Sequence, residues 1–185
     1  MIRLTAALLI TLCCSLTAYS QDSDSPGALS PPLVEQAMTL ERMAEILNAL
    51  DPEMQSQESR FLLNIEGVQV FVITDVTQDR MRVMTPVRQL QGISPDEMTR
   101  MMQANFDTAL DARYAIGRET LWAVYVHPLS PLQKNQLISG IGQVINLALT
   151  YGSIYSGGAL NYGGGDSGGI NRQLIEDLLE KGEAV

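Results

Sequence analysis

Histidine and cysteine are nearly absent from this 185-residue sequence. It has one histidine, His127, and its two cysteines, Cys13 and Cys14, lie side by side near the amino terminus. Protein metal sites usually need three or four His, Cys or carboxylate ligands in a suitable pattern. His127 has no second histidine and no acidic cluster of that spacing beside it. The sequence therefore predicts no metal site and no cofactor, and we expect His127 to be a structural residue at the end of a strand.

Basic residues are also scarce. Twelve Lys and Arg face 21 Asp and Glu, which gives a formal net charge of −9 and an isoelectric point near 4.5. Proteins that bind nucleic acid or anionic lipid need a surplus of cations to meet the phosphates. The charge balance therefore predicts no nucleic-acid binding and leaves basic or apolar partners.

The first twenty residues have the pattern of a bacterial secretory signal peptide. Arg3 precedes an apolar run from Leu4 to Leu16, and Ala18-Tyr19-Ser20 supplies small residues for cleavage after Ser20. The apolar run is too short to span a membrane. Leu12, which precedes Cys13, is not the small residue that a lipoprotein signal requires. We expect a periplasmic or secreted mature protein without cysteine, lipid anchor or stable membrane insertion.

Composition divides the remaining chain into four parts. Residues 21–32 are rich in Ser, Asp and Pro and predict a flexible leader. Residues 33–151 have the patterns of a single folded domain. Gly152–Gly169 contains eight glycines in eighteen residues, which is typical of a flexible linker. Residues 170–185 predict a short amphipathic helix.

The first half of the domain predicts one helix, three strands and a second helix. The first helix begins at Ser30-Pro31, has Leu33, Ala37, Leu40, Ala44 and Leu47 as its apolar stripe, and ends at Asp51-Pro52. The strand candidates are Phe61–Ile65, Val68–Thr74 and Met81–Val87. The segment from Phe61 to Ile73 is so apolar that we expect a central, well-covered part of a sheet.

The second helix begins with Ser94-Pro95-Asp96-Glu97, which has a cap residue, a proline and a capping-box glutamate in sequence. Methionine dominates its stripe, and Met is common both in cores and on adaptable binding surfaces. Both interpretations stay open. The stripe consists of Met98, Met101, Met102, Phe106 and Ala109.

The stretch from Leu110 to Tyr151 predicts two strands and a nearly uncharged helix. A turn at Gly117-Arg118 joins the strands, because glycine accepts positive φ at low cost. Ser130 and Gln133 are expected to cap the helix. Gly140 and Gly142 would each cost roughly 1 kcal/mol against alanine inside it. We interpret them as points where another backbone or a ligand comes close.

The predicted order is α-β-β-β-α-β-β-α, followed by the linker and the short helix. Strands and helices alternate without strict βαβ units, so we expect an α+β fold in which a mostly antiparallel sheet is covered by helices. A helix as short as the last one is marginal in water on its own. It must therefore dock on its own domain, on a second copy or on another protein.

The same order and several short motifs resemble the YbjN family of bacterial sensory-transduction regulators, and the fold is similar to that of type III secretion chaperones. The resemblance covers roughly Leu40 to Tyr151. Its matching residues are Asn105-Phe106, Ala112-Arg113-Tyr114, Leu121-Trp122-Ala123, His127-Pro128-Leu129 and Tyr151-Gly152. It implies a non-enzymatic domain, commonly dimeric, that binds polypeptides or regulates other proteins.

The hypothesis drawn from the sequence is an exported, non-enzymatic protein-binding module, chaperone-like or regulatory, that acts through apolar sheet and helix surfaces and forms a homodimer. The candidate partner or dimer interface consists of Leu121, Trp122, Ile141, Ile145, Leu174 and Leu178. The first alternative is a structural subunit or adaptor of an envelope assembly.

A remote alternative is a serine hydrolase, because Gly165-Asp166-Ser167-Gly168-Gly169 matches the nucleophile motif of chymotrypsin-like proteases. A serine nucleophile needs a histidine base that an acid orients. Only His127 is available, and the sequence that surrounds the catalytic histidine of that family is absent. The motif also lies in a glycine-rich tract, where it arises easily by chance.

Overall fold

The computed structural model describes residues 35–107, 110–152, 169–183 and 185. The predicted signal peptide, the leader and most of the glycine-rich segment lie outside these residues. Within the described residues, four helices and six strands follow one another. They are α1 Leu40–Leu50, β1 Gln55–Gln57, β2 Arg60–Ile65, β3 Val68–Asp75, β4 Arg80–Gln89, α2 Pro95–Asp107, β5 Arg113–Gly117, β6 Thr120–Pro128, α3 Lys134–Leu149 and α4 Gly169–Gly182.

The six strands form one antiparallel sheet in the order β1-β2-β3-β4-β6-β5. The predicted α+β class and its antiparallel sheet are confirmed. The sequence analysis missed β1, whose three residues are polar and fully exposed. Such a segment has no apolar alternation to detect, and it becomes a strand only by pairing with β2.

Two helix starts and one turn differ from the predictions. Helix α1 begins at Leu40, not at Ser30-Pro31, because the Thr39 hydroxyl accepts a hydrogen bond from the Arg42 N–H at 3.2 Å. The turn between β5 and β6 consists of Arg118 and Glu119, not Gly117-Arg118, since Gly117 pairs with Thr120. Both turn residues adopt positive φ, at 50° and 58°.

The start of α3 also lies later than predicted. Ser130 does not cap the helix, because its N–H and hydroxyl both donate to the carboxylate of Asp79, at 2.7 and 2.9 Å. The helix begins at Lys134, after Gln133, and the N–H of Lys134 donates to a carboxylate oxygen of Glu35 at 2.8 Å. An anionic group at a helix N-terminus is favourable. Glu35 lies 99 residues away in sequence, so local pattern could not reveal this contact.

Helix α3 is the interior element of the fold. Ten of its residues between Leu137 and Leu147 are buried, and together they lie on every side of the helix. One side packs on the sheet, where a Cβ at Gly140 would lie 2.7 Å from the ring of Tyr125. The opposite side packs on α4, where a Cβ at Gly142 would lie 2.6 Å from Cγ1 of Ile175. The predicted approach of another backbone is found at Gly142, where Cα of Ile175 would lie 3.6 Å from the added Cβ, whereas at Gly140 the neighbour is a side chain.

Helix α4 folds back on its own domain and runs antiparallel to α3. Ile175 lies at Gly142, and Gly182, seven residues later, lies against Ile138. The ammonium group of Lys134 donates to the carbonyl oxygens of Gly182 and Val185, at 3.1 and 2.9 Å. The structure thus selects intramolecular docking from the three placements that the sequence left open.

We predict that Gly142→Ala destabilises the protein by about 1–2 kcal/mol, because the new methyl group overpacks the contact with Ile175. In an Ile175→Ala background the sign should reverse, with a gain of up to about 1 kcal/mol, because alanine is the better helix former. Urea denaturation followed by circular dichroism measures both free energies of unfolding. Equal effects in the two backgrounds would contradict the packing of α4 on α3.

Candidate functional site

Every strand of the sheet has two faces, because successive side chains point in opposite directions. The inner face is the one that contains Tyr125 and lies against α3. Its side chains are nearly all buried in the core. We call the opposite face the outer face. Its apolar side chains are Leu62, Phe71, Ile73, Met84, Pro86, Trp122, Val124 and Val126.

Strand register brings these outer-face side chains into a continuous apolar surface. Leu62 pairs with Phe71, Phe71 with Met84, and Met84 with Val124, so one apolar row crosses four neighbouring strands. At about 4.8 Å between strands, such a row is roughly 15 Å wide. The Phe71 ring meets the Trp122 ring edge-on at 6.2 Å. The row is thus a packed surface rather than a set of isolated residues.

The outer face is half open to solvent. Ile73 is 38% exposed and Val126 is 45% exposed, while Phe71, Met84, Trp122 and Val124 are partly buried among their neighbours. The described helices lie elsewhere: α1 and α3 pack with the core residues, α4 packs on α3 and α1, and α2 contacts β5. Exposed apolar surface of this extent on one face is typical of an interaction site.

Positive charge lies at the margins of the outer face. Arg60, Arg80, Arg82 and Arg113 are exposed and point to this side of the sheet. Asp75 is the one acidic residue that the strands place on the face, within the described part of the chain. The face is therefore locally cationic although the whole chain is acidic.

One end of the outer face contains an open depression of about 410 Å³. Ile73 and Val126 supply apolar walls, and Arg80 and Arg82 supply charged ones. Asp75 lies at the rim, where one of its carboxylate oxygens accepts a hydrogen bond from the Gln78 N–H at 3.0 Å. Apolar and cationic groups thus converge on the same small volume.

The β5 edge of the sheet is closed by a side chain. The amide of Asn105, on α2, donates to the carbonyl oxygen of Tyr114 at 3.1 Å and accepts from the Tyr114 N–H at 2.7 Å. The Tyr114 hydroxyl donates to the carbonyl oxygen of Leu147 on α3 at 2.7 Å. The two bonds of Asn105 satisfy the backbone groups of Tyr114, which an edge strand would otherwise offer to another chain.

A second depression, of about 490 Å³, lies between β6, α3 and α4. It contains Tyr125, and burial raises the pKa of this phenol, with the charge of Asp111 adding to the effect. His127 stacks on Tyr125 at 6.0 Å, and its Nδ1 contacts the carbonyl oxygen of Pro128 at 2.8 Å. The Ser139 hydroxyl accepts a hydrogen bond from the Gln143 amide at 3.2 Å. Within the described residues, Ser139 and His127 have these other partners and do not hydrogen-bond to each other.

The predicted interface residues occupy three different places. Leu121, Ile141, Ile145 and Leu178 are buried in the core, each with at most 1% exposed, and Leu174 is partly buried against it. Trp122 lies on the outer face. The structure does not join the six into one surface, and their role in a partner or dimer interface stays a prediction. Ser167 lies outside the described residues.

The sequence analysis misjudged the coverage of the sheet. The segment from Phe61 to Ile73 is apolar at successive positions, which suggested that it is well covered, whereas described helices cover the inner face.

The methionine stripe of α2 is partly buried and partly exposed. Met101 is buried at 1%, but Met102 and Phe106 are 53% and 67% exposed. Ala109 lies outside the described residues.

Comparisons with known proteins give structural similarity alone. No protein-family model matches the chain, and no curated protein matches it. The type III secretion chaperone SycH of Yersinia pestis, solved with a stable fragment of YscM2, has a TM-score of 0.47 and 18% identity over 60% of this chain and 95% of its own. The HopA1–SchA chaperone–effector complex gives 0.44 and 11% over 59% and 95%. The ExsC–ExsE complex gives 0.43 and 11% over 57% and 89%.

None of the helices in the described ranges is long and apolar enough to cross a membrane. No group of three or more His, Cys, Asp or Glu side chains in those ranges is arranged to hold a metal ion.

Proposed function

We propose that this protein is an exported, non-enzymatic binding module that holds a segment of another polypeptide on the outer face of its sheet. The observation that supports the proposal is the apolar row from Leu62 to Val124, on a face that the described helices leave open. A chaperone-like or regulatory role, rather than catalysis, follows from a surface whose main chemical property is apolar contact.

The physical gain comes from covering side chains that are now half exposed. Burial of a large apolar side chain contributes about 1.5–3 kcal/mol relative to full exposure. Several half-exposed neighbours would together supply enough free energy for micromolar binding after the cost of association. The binding should be tolerant of sequence, because a flat row of Val, Ile, Met and aromatic side chains selects for apolarity more than for shape.

Trp122 provides a direct probe, because it is the chain's only tryptophan and lies on the outer face. We predict that binding of an unfolded polypeptide without tryptophan, such as reduced and carboxymethylated ribonuclease A, shifts the emission of Trp122 to shorter wavelength. The double variant Ile73→Thr/Val126→Thr should weaken this binding at least about fivefold, because it removes apolar contact. Threonine keeps the β-branched shape, so the strands should persist.

The matched control is Val76→Thr/Leu149→Thr. Both residues are apolar and more than half exposed, at 58% and 61%, but they lie off the outer face. The proposal requires that this control bind as the unaltered protein does. The proposal would be contradicted if the two double variants lost equal affinity for the polypeptide, or if neither the unaltered protein nor the control variant bound it. Binding of a second copy in place of the polypeptide would appear as concentration-dependent mass in light scattering and would also count against it.

Export is part of the proposal, and it supplies a separate prediction. When the full chain is expressed in a bacterium with a signal peptidase, the mature protein should begin at Gln21 and contain no cysteine. Intact-mass measurement of the periplasmic fraction checks both points, and a thiol-reactive reagent should add no mass. A cytoplasmic product that retains Cys13 and Cys14 would refute export.

A further inference from the structure

The outer face differs in charge from the rest of the molecule. The chain has a net charge of −9, yet four exposed arginines and one aspartate lie on this face of the described strands. We infer that the polypeptide segment held on the outer face is acidic as well as apolar, with its carboxylates at Arg60, Arg80 and Arg82. This inference rests on the proposed function and specifies the partner of the same surface.

Strand register places the arginines beside apolar residues at regular intervals. Arg60 pairs with Ile73, Ile73 with Arg82, and Arg82 with Val126, so cationic and apolar side chains alternate across four strands. Arg80 lies two residues from Arg82 on the same face of β4, roughly 7 Å away. The apolar row from Leu62 to Val124 runs beside this mixed row. An extended segment that presents carboxylates and large apolar side chains on the same face complements both rows.

The three arginines are available to a partner. Among the described residues, an ion pair joins Arg42 to Glu35, and this pair lies away from the outer face. No recorded ion pair engages Arg60, Arg80 or Arg82 within that part of the chain. Asp75 pairs with Arg80 across β3 and β4, but the carboxylate of Asp75 accepts its hydrogen bond from the Gln78 N–H. The guanidinium groups therefore face solvent beside the depression that contains Ile73 and Val126.

Arginine suits such a partner because its planar fork matches the two oxygens of a carboxylate. Its aliphatic stem also covers neighbouring apolar surface. An anionic membrane offers similar charges. The polypeptide is favoured because the acidic remainder of the molecule is repelled by an anionic surface, whereas a short segment meets only the local cationic patch.

Three matched peptides test this inference with the full mature protein and the emission of Trp122. The first has valine or isoleucine and glutamate in turn at every second position, with serine between them, so that both kinds of side chain share one face of the extended chain. The second has glutamine in place of glutamate, and the third has lysine. We expect the acidic peptide to bind roughly 5- to 10-fold more tightly than the glutamine peptide at low salt. The preference should shrink in 0.5 M salt, because the arginines are exposed.

Reversing the charge of Arg80 and Arg82 is the sharper test. Arg80→Glu/Arg82→Glu should remove the preference for the acidic peptide and create one for the lysine peptide. Arg80→Lys/Arg82→Lys should keep the acidic preference in weaker form. Arg100→Glu/Arg172→Glu makes the same change in net charge on exposed helix positions and should leave the preference intact.

Two outcomes overturn the inference, and they differ from failure of the proposed function. If the acidic and glutamine peptides bind equally and reversal changes nothing, the inference is wrong while polypeptide binding stands. If vesicles of phosphatidylglycerol and phosphatidylcholine bind and the peptides do not, the partner is a membrane and the inference is wrong. If no peptide and no unfolded polypeptide binds, the proposed function itself fails.

Discussion

The burial of the middle of α3, from Leu137 to Leu147, is the constraint on which this structure depends. A helix with one charged residue, Lys134, must be covered on nearly every side. The sheet covers one side and α4 the other, and both approach closely because Gly140 and Gly142 have no side chain in the way. With α3 on the inner face of the sheet, α4 packed on α3 and α1 packed on α4, the described helices leave the outer face to solvent. One packing requirement thus accounts for both the core and the exposed surface.

Sequence pattern predicted the elements whose cause is local. The capping box at Ser94 formed as expected, with the Ser94 N–H donating to Glu97 at 2.9 Å and the Glu97 N–H donating to Ser94 at 3.2 Å. The bonds that the Ser94 N–H and the Ser94 hydroxyl donate to the Glu97 carboxylate hold the pKa of Glu97 below its usual range. The similar signal at Ser130 failed because distant residues competed, although Gln133 takes part in a capping box with Gln136. Asp79 takes the hydrogen bonds of Ser130, and Glu35 occupies the start of α3.

The candidate site was harder to predict than the fold. Ile73 and Val126 are apolar in strands whose inner faces are also apolar, so periodicity could not say which face lacked a covering layer. Net charge pointed to basic or apolar partners, whereas the outer face itself contains four arginines. A net charge averages over the whole surface, and strand register alone shows which side chains share a face. Leu121 and Ile141 were chosen as interface residues for their apolarity, which the core equally requires.

The central claim is that a polypeptide binds the outer face, and the methionine methyl groups of β4 test it most directly. Met84 points to the outer face and Met81 to the core, three residues apart on one strand. In a methyl NMR titration with an unfolded polypeptide, the Met84 signal should move while those of Met81 and of the exposed Met102 stay in place. Movement of Met102 with Met84 unchanged would place binding on α2 and contradict the account.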